Sequence, residues 1–462
     1  MFRKEVYKER RNRLKKSVKE GIILILGNSD VPMNYSSNTY KWRQDSNFLY
    51  FFGLDYQGMA GIIDIDNDTE YIFGDEVSLD DIIWMGPQPT LGELAEDAGV
   101  SNTLPFSGLR EKISKAFDLG RKIHFLPPYR AENKLLLESL LGINTAEQKQ
   151  LASIELIKAI VALRSIKDSY EIEELEKAME TAWLMHTTAM KMARPGVYER
   201  EVAGRIEGIA LESGGMLSFP AIVTKRGETL HNHYHGNKLE KGDLLLVDAG
   251  TETSLHYASD HTRTSPVGGK FSPKQKEIYE IVLQAQINAI KAIKPGVTNR
   301  SVHMLAAKTL AEGLKSIGLM KGDTESAVEL GAHALFMPHG LGHMMGLDVH
   351  DMEDLGEDYV GYDNEVKRSD IFGTAFLRLG RKYQPGFVLT VEPGCYFIPA
   401  LIEKWKSENK FTDYINYDKI GEYLDFGGIR IEDDILVTEN GHKVMGKPIP
   451  KTVQEVEDLM AD

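Results

Sequence analysis

The chain has 462 residues, too many for one ordinary hydrophobic core, so two domains are expected. Hydrophobic residues make up 42% and charged ones 27%, as in globular proteins, and a formal net charge of -15 repels phosphate backbones and anionic bilayers, which excludes nucleic acid and membranes as expected partners. The single cysteine, Cys395, reads as a buried small hydrophobe and excludes a disulfide framework; with no signal-peptide core in residues 1–20, a cytoplasmic location is expected.

Residues 3–19 carry the spacing of an amphipathic helix, and Ile22–Leu26 is an apolar run of strand length. An aromatic-rich stretch, 42–53, follows. Further strands are expected at 61–65, 70–73 and 122–126, with a helix over 107–117, which together make an α/β domain. It holds no metal-ligand spacing, phosphate loop or nucleophile elbow, so its expected role is scaffold or oligomer contact. A helical, charge-rich segment over 147–163 precedes a long helix over 170–192. The domain boundary is placed near residue 165, giving domains 1–165 and 166–462.

The second domain contains an internal echo. One helix ends in Arg194-Pro195-Gly196-Val197, and one hundred positions later another ends in Lys294-Pro295-Gly296-Val297. Each helix pair leads to an apolar strand that ends in an acid: Leu244-Leu245-Leu246-Val247-Asp248 in the first half, Val388-Leu389-Thr390-Val391-Glu392 in the second. A second strand in each half offers another acid, Asp260 before His261-Thr262-Arg263 and Glu432 after Arg430-Ile431. A duplicated helix-helix-hairpin unit facing one centre is implied.

Residues 336–351 hold three of the thirteen histidines, His339, His343 and His350. Four-residue spacing would put His339 and His343 on one helix face, but Gly340 and Gly342 between them predict a tight loop. The apolar 346–349 segment predicts a short strand leading into His350. Isolated histidines are commonly satisfied at caps and core edges; three within twelve positions point to a site.

An acid at the end of a buried strand is costly unless its charge is matched. Four such positions occur here, Asp248, Asp260, Glu392 and Glu432, and alternation offers Thr262 as a neighbour for Asp260 and Arg430 as one for Glu432. One arginine cannot neutralise four carboxylates. Two divalent cations can, with His343 as a nitrogen ligand; the donor set suits Mn²⁺ first, with Co²⁺, Zn²⁺ or Mg²⁺ behind.

Together, His339-Gly340-Leu341-Gly342-His343, the Asp248 and Asp260 pair, Glu392-Pro393-Gly394 and Arg430-Ile431-Glu432 resemble the proline-specific pita-bread metallopeptidases, aminopeptidase P and prolidase. Residues 43–48 and Trp84-Met85-Gly86 are similar to that family's amino-terminal domain, so the resemblance covers most of the chain. It implies a small α/β domain before a pseudo-twofold pita-bread catalytic domain, and a homodimer or homotetramer. It also implies a dinuclear site. Asp248 and Asp260 would hold one ion, Asp260 and Glu432 would bridge, and His343 with Glu392 would hold the second. A water between the ions would attack the peptide carbonyl of proline-containing di- or oligopeptides. Glu392 would also accept the proton, His231 and His350 would line the substrate with His350 donating to the carbonyl oxygen, and His339 would sit by the proline ring. His233 and His235 compete for the role of His231. Asp248 and Asp260 are twelve positions apart, one more than the family pattern, and the extra residue is assigned to the turn at 253–256.

Within the family, Arg378 in Leu377-Arg378-Leu379 takes the position of the prolidase arginine that binds the substrate's terminal carboxylate, although a solvated surface charge accounts for it equally well. The charged, aromatic insertion 401–425 is also prolidase-like. An Xaa-Pro dipeptidase is therefore expected, with Xaa-Pro aminopeptidase activity on longer peptides as the alternative. Relatives that lost the metal serve as binding modules or as hydrolases of small guanidino compounds, but they should lack several ligands, and this chain lacks none. Methionine aminopeptidases share the ligands but not this amino-terminal domain.

Overall fold

The computed structural model describes residues 1–461, which form two units: Met1–Arg164 with Asp354–Tyr359, and Ser165–Glu353 with the chain from Val360 onward.

In the first unit a mixed sheet runs Asn102–Leu104, Thr69–Phe73, Ala60–Asp64, Ile22–Leu26, Ile123–His124, with antiparallel central pairs and a parallel strand at each edge. The strands expected at 61–65 and 70–73 lie within one residue of those observed; the one expected at 122–126 is only two residues long. The amphipathic helix Lys4–Val18 buries Arg11 among apolar neighbours, where its guanidinium donates to the carbonyls of Phe51 (2.7 Å) and Gly99 (3.2 Å) and to Glu70 (2.8 Å). Within the aromatic stretch, Ser46–Phe52 is a buried helix capped by Asp45, which accepts from the Asn47 and Phe48 amides. The helix expected over 147–163 is broken. Gln148–Leu151 stops, and Ile154–Ser165 restarts after Ser153, whose hydroxyl accepts the Leu156 amide at 3.2 Å and so caps a new helix.

The second unit is duplicated. Ser169–Met192 packs on Glu199–Glu212, and Pro273–Ala292 on Asn299–Ser316. Each pair turns on a left-handed glycine, Gly196 (φ 98°) and Gly296 (φ 83°). Their amides donate to matching carbonyls, Leu239 at 2.8 Å and Tyr383 at 3.0 Å, and, two residues on, Tyr198 and Thr298 bridge Lys238 and Lys382. The same stop and the same covering strap thus recur in both halves, as a pseudo-twofold arrangement requires.

Behind each helix pair lie the site's strands. In the first half Leu244–Ala249 is flanked by Ile222–Thr224 and His261–Pro266, with Asp248 opposite Thr262. The turn between Asp248 and Asp260 is closed by the Thr253 amide, which donates to Tyr257 O at 3.0 Å, and His256 there takes φ 67°, outside the paired strands. In the second half the acid-bearing strands are interrupted. Val388–Val391 pairs with Asp433–Val437, and Gly394–Tyr396 with Gly428–Arg430. Glu392-Pro393 and Ile431-Glu432 occupy the breaks, because Pro393 has no amide to continue a ladder and the Glu432 amide leaves to donate to Thr262 O at 3.0 Å in the other half.

Two further expectations change. Residues 346–349 form no strand: the Gly346 amide donates to Asp348 O at 3.1 Å, closing a tight turn instead. The 401–425 insertion packs its Ile402, Trp405, Ile415 and Tyr423 into the second-half core and supplies none of the residues lining the cleft described next. Among the described residues no helix is long and apolar enough to cross a membrane.

Candidate active site

A cleft of about 530 Å³ lies over the strand breaks. Its floor is made by Asp248, Asp260, His343, Glu392, Arg430 and Glu432. The loop carrying His343 reaches the floor only because of glycine. A Cβ at Gly342 would lie 2.0 Å from the Thr390 carbonyl oxygen, and one at Gly340 2.7 Å from the Leu377 Cα, so close backbone approach, rather than left-handed φ, requires both. The His343 amide donates to Thr390 Oγ1 at 3.1 Å, which locks the loop to the strand that ends in Glu392.

The His343 ring is oriented from behind. Its Nδ1–H is held by the Met344 carbonyl at 3.1 Å, which leaves the Nε2 lone pair facing Asp260 Oδ2 at 3.3 Å and Glu392 Oε1 at 3.8 Å. Burial pushes this imidazole down to about 4, so it is neutral and available as a ligand at pH 7. Ligand atoms of Asp260, His343 and Glu432 all lie within 4.8 Å of one another, the only such group among the described residues.

The acids are partnered across the halves, not within them as alternation suggests. Thr262 Oγ1 donates to Glu432 Oε2 at 2.7 Å, and Arg430 Nη2 donates to Asp248 Oδ2 at 2.6 Å. Arg430 Nη1 also donates to Tyr396 Oη at 2.9 Å, whose own O–H reaches His339 Nε2 at 2.9 Å while His339 Nδ1–H meets Gly340 O at 2.7 Å. Burial raises Asp260 and Glu432 well above the carboxylate range, with Asp248 adding to the first and Asp260 to the second. Glu392 is pushed up to about 8, by burial first and then by Asp260 and Asp248 against the pull of Arg430.

These acids fit a divalent cation. Asp248 Oδ1 and Asp260 Oδ1 are buried with no hydrogen-bond partner, in a donor set of carboxylate oxygens and one imidazole nitrogen that hard and borderline ions prefer. An uncompensated cluster of this kind is what a cation would stabilise.

The other predicted residues form the walls. His231, His339, His350 and Arg378 all line the cleft, as does His233, whereas His235 turns away to the Ala221 carbonyl at 3.1 Å. The His350 and His343 rings lie 4.0 Å apart between centroids. His350 Nδ1 donates to Glu353, which also accepts from Arg378 Nε at 3.2 Å. Tyr396 and Glu353 escaped the sequence reading. Glu353 had one available signal, its i+3 spacing from His350; Tyr396 had none before the Gly394–Tyr396 pairing with Gly428–Arg430 was known.

A duplicated domain that brings strand-end acids from both halves to one imidazole defines a pita-bread metallohydrolase. Residues 173–439 match Metallopeptidase family M24 and residues 7–124 match the aminopeptidase P N-terminal domain, and the chain belongs to the M24 family. It is 30% identical to a human Xaa-Pro dipeptidase, covering 97% of this chain and 91% of that one, and 30% identical to a probable Xaa-Pro aminopeptidase of Uncinocarpus reesii, covering 95% and 90%. Among solved structures it resembles zinc-substituted Escherichia coli aminopeptidase P in complex with product (TM-score 0.83, 29% identity, 100% and 98% covered). Pseudomonas aeruginosa aminopeptidase PepP is similar too (TM-score 0.82, 27% identity, 100% and 99% covered).

Proposed function

We propose that this protein is an Xaa-Pro exopeptidase with two divalent ions, Mn²⁺ first, held by Asp248, Asp260, His343, Glu392 and Glu432. The observation that carries it is the floor itself: three buried acids and the half-buried Glu392 around one neutral imidazole, two of the acids with orphaned oxygens. When bound, the ions supply Lewis acidity and make water acidic enough to serve as a nucleophile near pH 7. The chain does the rest. Glu392 accepts the nucleophile's proton, His343 and the acids fix the reacting centre, and His350 in its imidazolium form, with Nδ1–H on Glu353, donates from Nε2 to the carbonyl oxygen of the scissile bond as it gains charge. His339, held by Tyr396 and Gly340, flanks the proline ring, and His231 also lines the cleft.

For substrate length, Arg378 on the cleft wall supports a dipeptidase, because a guanidinium fork matches a terminal carboxylate. The likeness to solved aminopeptidases P supports the second reading, action on longer Xaa-Pro peptides. Kinetics decide between them: Xaa-Pro dipeptides are compared with Xaa-Pro-Yaa tripeptides in Mn²⁺, with and without Arg378→Ala. A dipeptidase prefers the shorter series and loses that preference with Arg378. Preference for tripeptides, unaffected by Arg378→Ala, makes it an aminopeptidase; no bound metal and no activation by Mn²⁺ or Co²⁺ makes it a binding module. A cytoplasmic homodimer or homotetramer belongs to the same proposal.

A further inference from the structure

One charged group beside the cleft has no part in the chemistry above. Glu353 does not line the cleft; it stands behind two residues that do, accepting from His350 Nδ1 and from Arg378 Nε at 3.2 Å. Its backbone is set up for that task. Met352, immediately before it, is a buried non-glycine residue at φ 65°, a left-handed conformation that bulky side chains rarely adopt. The tight turn Glu353–Leu355 follows, and the Glu353 amide donates to His350 O at 3.2 Å, folding the carboxylate back towards the imidazole. On the other side Asp351 is fixed by Lys167 at 2.7 Å, with both side chains only 1% exposed. The segment from His350 to Glu353 is therefore pinned at both ends.

We propose that Glu353 is a positioning residue that sets the preference for short peptides: one anion orients both His350 and Arg378, and so fixes the separation between the group facing the scissile carbonyl and the group receiving a terminal carboxylate. The proposal rests on the dipeptidase function given above. An arginine at a cleft mouth has several torsions to freeze when a ligand arrives; a bond from Glu353 freezes them beforehand, so the ligand meets a preset fork. Glu353 also lowers the net charge around that fork, which makes recognition depend on planar geometry more than on bare attraction. At His350, engagement of Nδ1 leaves Nε2 as the atom presented to the cleft.

The test uses the full-length, metal-loaded protein and two matched pairs of probes: L-proline and L-prolinamide for calorimetric binding, Ala-Pro and Ala-prolinamide for turnover. Glu353→Ala is expected to weaken proline about tenfold while leaving prolinamide within about twofold, to raise KM about tenfold for Ala-Pro only, and to lower kcat for both substrates through His350. In an Arg378→Ala background the effect on proline should vanish, since two residues acting through one fork are not additive. Glu353→Asp should recover most of the discrimination. Equal weakening of proline and prolinamide, or additive double variants, overturns the proposal. If Glu353→Ala does not fold, Glu353→Gln carries the same comparison. Should the wild type cleave neither substrate, the dipeptidase function fails and this inference with it; if the wild type cleaves both and Glu353→Ala changes nothing, only the inference fails.

Discussion

Replacing Glu392 by glutamine in the metal-stripped protein isolates the electrostatic cost of the empty-handed acid cluster. Glu392, raised from its ordinary 4.5 to about 8, keeps its proton in the folded protein at pH values where the unfolded chain has released it. The folded state therefore binds more protons, and this group lowers stability as pH rises, beginning near 4.5 and complete above about 8. Between pH 6.5 and 8.5 the loss from this one carboxyl is roughly 2 kcal/mol. Buried histidines such as His339 and His343, pushed down to about 4, act in the opposite sense, since stability is lost as pH falls through their depressed values. They are present in both proteins and cancel in the difference. Calorimetric melting of wild type and Glu392→Gln after chelation should show the wild type losing roughly 2–3 °C relative to the variant over that interval. Reloading with Mn²⁺ should abolish the wild-type slope, and loading at pH 7 should release protons, read as a dependence of the binding heat on buffer ionisation enthalpy. A difference that stays flat, or grows in the wild type's favour with pH, refutes the account of Glu392 as an acid held neutral by burial.

Two substitutions away from the acids probe what holds them. Gly342→Ala puts a methyl group against the Thr390 backbone carbonyl, which cannot retreat without moving the strand that carries Glu392. A loss of about 3 kcal/mol in thermal stability and a bound-metal content lowered by tenfold or more should follow, and an unchanged melting curve would refute the close-approach argument. Lys167→Met removes the cation from the buried Asp351 beside His350. Thermal denaturation should register roughly 3–5 kcal/mol of destabilisation, because the carboxylate stays buried while this cation is gone; a loss below about 1 kcal/mol would mean that contacts such as the Asp348 amide at 3.3 Å carry Asp351.

The elements readable from sequence were those fixed by local chemistry. Pro195-Gly196 and Pro295-Gly296 stop helices wherever they occur, and Gly340 and Gly342 forbid the helix that His339 and His343 otherwise suggest. Ser153 marks the opposite case: the periodicity of 147–163 carries no sign of a break, because it comes from a hydroxyl that caps the helix after it while its own amide is held by Phe125 O at 3.1 Å. Glu353 was hidden for a related reason, since its effect depends on Met352 taking a backbone conformation that composition does not announce.

The deepest miss concerns partners, and it has one physical origin. Alternation along a strand says which side chains share a face; it cannot say which strand lies opposite when two halves meet. Alternation therefore pairs Thr262 and Arg430 with acids of their own halves, yet Thr262 serves Glu432, Arg430 serves Asp248, and the Glu432 amide spans the same divide to Thr262 O. This exchange makes each half the other's charge partner. Alone, the first half would bury Asp248 without its guanidinium, and the second would bury Glu432 without its hydroxyl donor, each an uncompensated carboxylate of the kind that proteins avoid. The assembly of the acid floor and the docking of the two halves are consequently one event, and a substitution at Thr262 or Arg430 perturbs both at once.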